Sequence, residues 1–256
     1  MDNWFNAIAA NCELSTGSVQ ELHDVGFVVV PGPVMSERLV QLAEAYDSAV
    51  ASALASADSD DAKIANTTTR VHDFVNRDPE FDGLYVFQPV LDACCHVIGR
   101  PFKLSSMLAR TLRPHMPAQN LHVDFKRVDS GWPMVGFIIM IDEFRSENGA
   151  TRFVPGSHKA LQAPDEVMKD TTAHCEGQML ASGPAGSIII YNGSIWHGHT
   201  ANQTAQPRRS IQGAFIRREA QACLNWRSRI RPETLARIGD LAKYLLDVEP
   251  DNGEHA

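Results

Sequence analysis

What this chain has little of narrows its class first. No apolar run approaches the roughly 20 residues needed to cross a bilayer; the longest, Val135 to Ile141, is strand-sized, so no membrane partner is expected. The opening Met1-Asp-Asn-Trp-Phe lacks the charged-then-apolar run of a secretory signal. Cysteine is sparse: Cys12, Cys94, Cys95, Cys175 and Cys223 are odd in number and form no CxxC pair. They read as reduced thiols of a cytoplasmic protein, which excludes a disulfide frame or a cysteine zinc site. The Asn-x-Ser/Thr sequons at Asn66, Asn192 and Asn202 carry no weight without secretion. Positive charge is also short, with 23 Lys+Arg against 31 Asp+Glu and a net charge of −8. That balance argues against a nucleic-acid partner, which calls for a basic footprint. There is no internal repeat and no low-complexity tail.

What is present is ordinary globular material: 256 residues, 44% hydrophobic and 21% charged. Large all-β barrels often reach this length undivided, and no linker stands out, so one domain over 1–256 is expected. Gly26-Phe-Val-Val-Val-Pro31-Gly32 reads as a buried strand closed by a turn. Ser36 is placed as the N-cap of a helix that buries Leu39, Leu42, Tyr46, Val50 and Ala53. The helix dissolves into the polar stretch Ser56 to Asp61, whose acidic run Asp58 to Asp61 reads as a solvated loop. A helical tendency returns from Arg70 to Pro101, marked by Val90, Leu91, Cys94 and Val97. Then the character changes. Leu104–Leu112, Val135–Ile141, Gly186–Tyr191 and Ser210–Ile216 are β-branched or apolar runs separated by Gly, Pro and Asn. They predict an antiparallel sandwich or barrel of about eight strands. Pro232 opens a last helix to about residue 247, with Leu235, Ile238, Leu241, Ala242 and Leu245 on one face. The fold class is thus an all-β core, about 102–218, with flanking helices.

The chemistry centres on Gln119-Asn-Leu-His122-Val-Asp124. On an extended segment His122 and Asp124 point to the same side, because side chains alternate with period two. They supply two ligands for a divalent metal, although a lone His-x-Asp is a weak signal. A third ligand is available in Trp196-His197-Gly198-His199, which leaves His197 and His199 in competition. Two histidines and a carboxylate with open positions suit non-haem Fe(II) oxygenases. On the next strand Arg208, Ser210, Gln212 and Ala214 share one face and Arg209, Ile211, Gly213 and Phe215 the other. An arginine among small and polar neighbours suggests a cavity lining that holds a carboxylate bidentately.

Three blocks then resemble the phytanoyl-CoA dioxygenase family of Fe(II)/2-oxoglutarate oxygenases. Gln119-x-x-His122-x-Asp124 is the first. Asn148-Gly-Ala-Thr151 through Pro155-Gly156-Ser157-His158 is the second. His197-Gly198 through Asn202, Thr204 and Arg208 is the third. The opening strand is similar too, so the resemblance spans roughly residues 20 to 218. It implies a double-stranded β-helix, a jelly-roll or cupin-like barrel. The family's arginine lies eleven residues after its metal histidine, the separation of Arg208 from His197, whereas His199 is nine away. By resemblance, then, His122, Asp124 and His197 hold Fe(II) and Arg208 binds the distal carboxylate of 2-oxoglutarate, with Thr204 in support. His199 lies beside the co-substrate. Gln119 and Thr151 match positions that hydrogen-bond the co-substrate in fungal meroterpenoid and alkaloid oxygenases of this group. Dioxygen is the second co-substrate and ascorbate a reductant. Related halogenases replace the Asp124 carboxylate by Gly or Ala; its presence here favours hydroxylation over halogenation, with desaturation, epoxidation or ring formation open on the same iron.

Departures exist. His199 stands where many relatives carry Gly, Ala or Ser, and Phe125 to Trp132 follows no family rule. Arg70, His72 and Trp132 are candidates for substrate contact, and Asp73 stands beside them. His158 reads as structural, at a Pro-Gly corner. His23, His96, His115, His174 and His255 share no ligand spacing and read as surface or core residues. No cationic platform for the phosphates of coenzyme A is visible, so a small-molecule substrate, such as a secondary metabolite, is expected. Relatives often form homodimers, which is one expected assembly. Two rival classes share the residues: a ligand-binding module without turnover, expected to lack a ligand or Arg208, and a zinc hydrolase, which needs no 2-oxoglutarate anchor.

Overall fold

A computed structural model describes residues 3–56, 61–64 and 68–248. Most of the acidic run (57–60), the sequon residue Asn66 and His255 lie outside the described residues. Ten strands are described: β1 (Phe27–Pro31), β2 (Ala62–Ile64), β3 (Thr68–Val71), β4 (Phe102–Leu112) and β5 (Met134–Met140). They continue with β6 (Thr151–Phe153), β7 (Met179–Ala181), β8 (Ser187–Asn192), β9 (His197–His199) and β10 (Arg208–Arg217). A seven-stranded sheet runs β1-β8-β5-β10-β4-β3-β2, and a three-stranded sheet runs β7-β6-β9. Every described strand pairing is antiparallel. The two sheets face each other as a double-stranded β-helix.

Period-two alternation sorts the large sheet's side chains into two cores. Val135, Phe137, Ile139, Ile188, Ile190, Ile211 and Phe215 pack outward against helices Thr16–Asp24, Leu39–Ala55 and Gln88–Val97. Ile138, Met140, Ile189 and Tyr191 point inward, joining Phe27, Phe144 and Phe153 between the sheets. Phe27 stacks on Phe153 at 4.3 Å between ring centroids. The outer core anchors the helices; the inner one stops short at one end, where polar residues take over and a cavity opens.

Three expectations about local structure are corrected. Ser36 caps no helix: it begins a 3-10 turn, Ser36–Arg38, and the α-helix starts at Leu39 without a side-chain cap. That helix buries Leu42, Tyr46, Ala49 and Ala53, leaving Leu39 and Val50 only half-buried. The segment from Arg70 is not helical at its start. Thr68–Val71 is a strand paired with β4, in keeping with its β-branched residues, and the α-helix begins at Gln88. The last helix is two, Pro232–Arg237 and Asp240–Leu245. Ile238 and Gly239 are extended, with ψ of 146° and 173°. Glycine is a poor helix former, and the break lets Ile238, Ala242 and Leu245 all reach the core while Leu235 stays 36% exposed.

Candidate metal centre and cavity

Backbone pairing brings the ligand segment to its distant partner. His122 and His197 exchange backbone hydrogen bonds (His122 N to His197 O, 3.0 Å; His197 N to His122 O, 2.9 Å), and Gln119 N donates to His199 O at 2.9 Å. The Gln119–His122 segment therefore runs as an extra strand on the edge of β9. Gly198 allows this close approach, since a Cβ there would lie 2.9 Å from Asn120 O. Asp124 N and Phe125 N both donate to Gly193 O. Arg152 fastens the loop from the next strand, donating to the carbonyls of Gln119 and Thr171.

On this frame the structure brings His122, Asp124 and His197 together, with one ligand atom from each lying within 4.8 Å of the others. His122 Nε2 lies 3.8 Å from Asp124 Oδ1, and His197 Nε2 lies 3.6 Å from Asp124 Oδ2. Each histidine turns Nδ1 to a backbone carbonyl, His122 to Asn120 O at 3.0 Å and His197 to Ile195 O at 2.9 Å. A carbonyl only accepts, so Nδ1 carries the proton and the Nε2 lone pair is left to face the carboxylate. This is the outer support that orients metal-binding histidines. Burial, then the neighbouring His197, lowers the His122 pKa to about 4 against the opposing pull of Asp124. Its imidazole is therefore neutral and able to ligate at neutral pH. Burial would raise the Asp124 pKa, but His197, His122, Tyr191 and Arg110 together outweigh it and hold the carboxylate ionised.

A cavity of about 750 Å³ opens beside the cluster, within the range that takes small molecules. Its deep end is Arg208, only 1% exposed, whose guanidinium carbon lies 4.0 Å from the Phe144 ring centroid. Arg208 Nε and Nη1 are buried without hydrogen-bond partners among the described residues, as is His199 Nε2. Burial, then repulsion from Arg110, lowers the Arg208 pKa to about 9, so the group stays charged at neutral pH. A buried cation without a counter-charge costs stability unless an anion meets it. The site therefore fits both groups that the motif implies: a divalent ion at the His-Asp-His cluster and, for Arg208, a carboxylate.

Of the other candidates, Gln119, Thr151 and His199 line the cavity. Burial, then the charge of Arg110, lowers the His199 pKa to about 3. Arg70 lines it as well. Three candidates fall elsewhere. Thr204 Oγ1 donates to Asn202 Oδ1 at 2.7 Å and closes a local turn, so it offers nothing to Arg208. His72 is only half-buried and takes no part in the cavity wall; its carbonyl accepts from Arg77 Nε. Trp132 packs against His23 and His158 and donates from Nε1 to His158 O, on the far side of the His158 corner. His158 is fully buried and bonds through Nε2 to His23 O.

Two residues that the sequence did not single out join the cavity wall. Tyr191 donates its hydroxyl to Asp124 Oδ2 at 2.6 Å. Its place was legible in part, since it shares the inward parity of Ile189. Gly136 makes room for it, because a Cβ there would lie 2.2 Å from Tyr191 Cζ. Arg110, buried in β4, donates to Gln119 Oε1 at 2.8 Å and more distantly to Gln212 Oε1 at 3.5 Å. Tyr191→Phe is expected to weaken metal binding by about 10- to 100-fold, the usual cost of losing a ligand's outer partner. A metal titration showing unchanged affinity would remove Tyr191 from the site.

A family model, Phytanoyl-CoA dioxygenase (PhyH), matches residues 22–210. Dioxygenase cdmA of Talaromyces verruculosus is 34% identical over 113 residues, covering 39% of this chain and 35% of that protein. Dioxygenase olcK of Penicillium canescens is 38% identical over 102 residues, covering 37% of this chain and 32% of that protein. The matched stretch thus spans about a third of these curated relatives. Among solved structures, EctD from S. alaskensis with bound Fe superimposes with a TM-score of 0.70 at 18% identity, covering 90% of this chain and 85% of that one. HygX from Streptomyces hygroscopicus with nickel, 2-oxoglutarate and hygromycin B bound gives 0.67 at 16%, covering 82% and 90%. At such identity the likeness concerns the fold.

Proposed function

The chain belongs to the phytanoyl-CoA dioxygenase family, and from that premise we propose that it is an Fe(II)/2-oxoglutarate-dependent dioxygenase that oxidises a C–H bond of a small molecule. The observation that carries this reading is the convergence on one cavity of a His-Asp-His cluster and the unpartnered, buried Arg208 guanidinium. In this reading His122, Asp124 and His197 hold the iron through Nε2, a carboxylate oxygen and Nε2. Arg208 anchors the distal carboxylate of 2-oxoglutarate. Iron with 2-oxoglutarate and dioxygen supplies the oxidising chemistry, with succinate and carbon dioxide as co-products.

The protein's own residues do the positioning. The carbonyls of Asn120 and Ile195 keep both histidines in the ligating tautomer. The Tyr191 hydroxyl holds Asp124 in place. Phe144, its ring centroid 4.0 Å from the Arg208 guanidinium carbon, backs the anchor with a cation–π contact. Thr151 and the orphaned Nε2 of His199 sit where they can contact the co-substrate. The whole chain acts as one domain, its helices buttressing the outer face of the sheet that carries Arg208. Hydroxylation is the default outcome, with desaturation, epoxidation or ring formation open to the same iron, and the Asp124 carboxylate speaks against halogenation. No helix among the described residues is long and apolar enough to cross a membrane.

The purified protein, kept anaerobic, is expected to bind 2-oxoglutarate only when Fe(II) is present, seen as a metal-to-ligand charge-transfer band. Air and ascorbate should then release succinate when members of a metabolite panel are added. Binding of 2-oxoglutarate that ignores the metal, or hydrolysis of esters with zinc alone, would replace this reading with the binding-module or hydrolase alternative.

A further inference from the structure

Polarity in the cavity is graded along β10. The inward residues of that strand run Arg208, Ser210, Gln212, Ala214 and Ile216 from the deep end to the mouth, charged first, then polar, then apolar. Cross-strand partners widen each step into a row across the sheet. Arg110 and Met140 flank Ser210, Leu108 and Ile138 flank Gln212, and Ser106 and Gly136 flank Ala214, with Tyr191 beyond Gly136. Met134 pairs with Ile216. Arg70 stands opposite Arg110. All the lining arginines therefore lie at or below the Ser210 row, the end given above to 2-oxoglutarate. The metal cluster belongs two rows higher, where Tyr191 holds Asp124. Apart from the metal ligands, no charged side chain among the described residues lines the cavity from the Ala214 row to the mouth.

That end is walled. Past β10 the chain folds back, with Cys223 N donating to Ser105 Oγ at 2.9 Å and Leu224 N to Ser105 O at 3.0 Å. Trp226, 2% exposed, pins the turn by donating from Nε1 to Leu104 O. These bonds hold Ala222 and Cys223 in the cavity lining. Phe125, also in the lining, is fixed through its backbone: its N donates to Gly193 O and its O accepts from Ser194 Oγ. Its ring nevertheless stays 42% exposed, next in sequence to the ligand Asp124. A ring held this way is pre-organised, and covering it with a ligand removes apolar surface from water.

We propose that the primary substrate is an uncharged molecule with an apolar body, and that Ala214 sets how bulky a body can reach the metal. This rests on the oxygenase reading above, which gives the arginine end to 2-oxoglutarate. An ionised group brought to the Ala214 and Ile216 rows would leave water and find no counter-charge. A hydrocarbon body there covers Phe125, Met134, Ile216 and Ala222 instead. Gln212, whose Oε1 faces Arg110, keeps its amide N–H groups for a carbonyl or hydroxyl oxygen of such a molecule. Ala214 shares the row of Tyr191, and its single methyl leaves open the space between Ser106 and that tyrosine. A branched side chain at 214 would fill this space beside the metal, two rows away from Arg110.

The test loads the full chain anaerobically with Fe(II) and saturating 2-oxoglutarate. Calorimetric titration then compares one hydrocarbon cage in three charge states: adamantanecarboxamide, adamantanecarboxylate and adamantylammonium. The neutral amide is expected to bind at least tenfold more tightly than either ion. Ala214→Leu should weaken the amide tenfold or more while the dissociation constant of 2-oxoglutarate stays within threefold. Phe125→Ala, at an exposed side chain, should weaken the amide several-fold and keeps the test decisive if Ala214→Leu does not fold. A margin below tenfold over either ion, or no binding of the amide up to about 10 mM, overturns the proposal. Unchanged amide binding in folded Ala214→Leu overturns the role of Ala214. So does a matching loss of 2-oxoglutarate affinity, which would assign that row to the co-substrate and leave the oxygenase reading intact. Failure of the unaltered protein to bind Fe(II) and 2-oxoglutarate would instead bring down the oxygenase reading itself.

Discussion

In the Asp124→Ala variant, iron-dependent release of succinate falls by more than about a hundredfold, beyond what the loss of an outer partner costs a metal site. Asp124 is the only anionic group in the cluster, and the two side chains that remain are imidazoles, which bring no negative charge. A divalent ion bound by two neutral ligands loses both charge compensation and its oxygen donor. The fold itself should survive. Asp124 stands on a loop fixed by backbone hydrogen bonds from Asp124 N and Phe125 N to Gly193 O, and these do not depend on the side chain. The thermal unfolding midpoint of the metal-free variant is therefore expected within a few degrees of the unaltered protein. Tyr191, left without its carboxylate acceptor, accounts for any small loss. Wild-type turnover in Asp124→Ala with bound iron would falsify the ligand assignment.

Arg208→Met separates binding from stability with opposite signs. Removing one partner of a buried charge pair costs about 2–5 kcal/mol, so 2-oxoglutarate should bind at least about thirtyfold more weakly. Without ligands, however, the same change replaces a buried, unpartnered guanidinium with an apolar side chain that suits the ring of Phe144. Removing an uncompensated buried charge is stabilising, less the cation–π attraction of about 0.5–2 kcal/mol that the ring returns. The ligand-free variant should melt higher than the ligand-free parent. Addition of Fe(II) and 2-oxoglutarate should raise the parent's midpoint well above that of the variant, as binding to the folded state alone requires. Thermal shifts with and without both ligands read the two effects together. A variant that melts lower without ligand and binds 2-oxoglutarate normally would show Arg208 to be a structural residue.

Much of this site was legible because its chemistry is written in short, local patterns. His122-x-Asp124 places two ligands on one side of any extended segment, whatever the rest of the fold. The parity of β10 put Arg208 and Gln212 on the face opposite Arg209 and Ile211. The structure shows that division, with Arg208 in the cavity and Arg209 bonded to Asp142 outside it. The errors arose where local preference met tertiary demand. Pro232 opened a helix as expected, but the core drew in Ile238 and broke the helix at Gly239. Thr204 and Trp132 lie close in sequence to motif residues yet turn to other partners. Nearness along a chain does not decide which way a loop side chain points.

The sequence by itself determined the ligand types, the alternation of the strands and the family's motif order, since each depends on residues a few positions apart. Only the tertiary structure could decide what crosses between strands. It set His122 in hydrogen-bonded register with His197, carried the Tyr191 hydroxyl to Asp124, and placed Arg70 opposite Arg110. Those pairings join residues far apart in the chain, and their register follows from burying both faces of one sheet at once. No local pattern records that constraint.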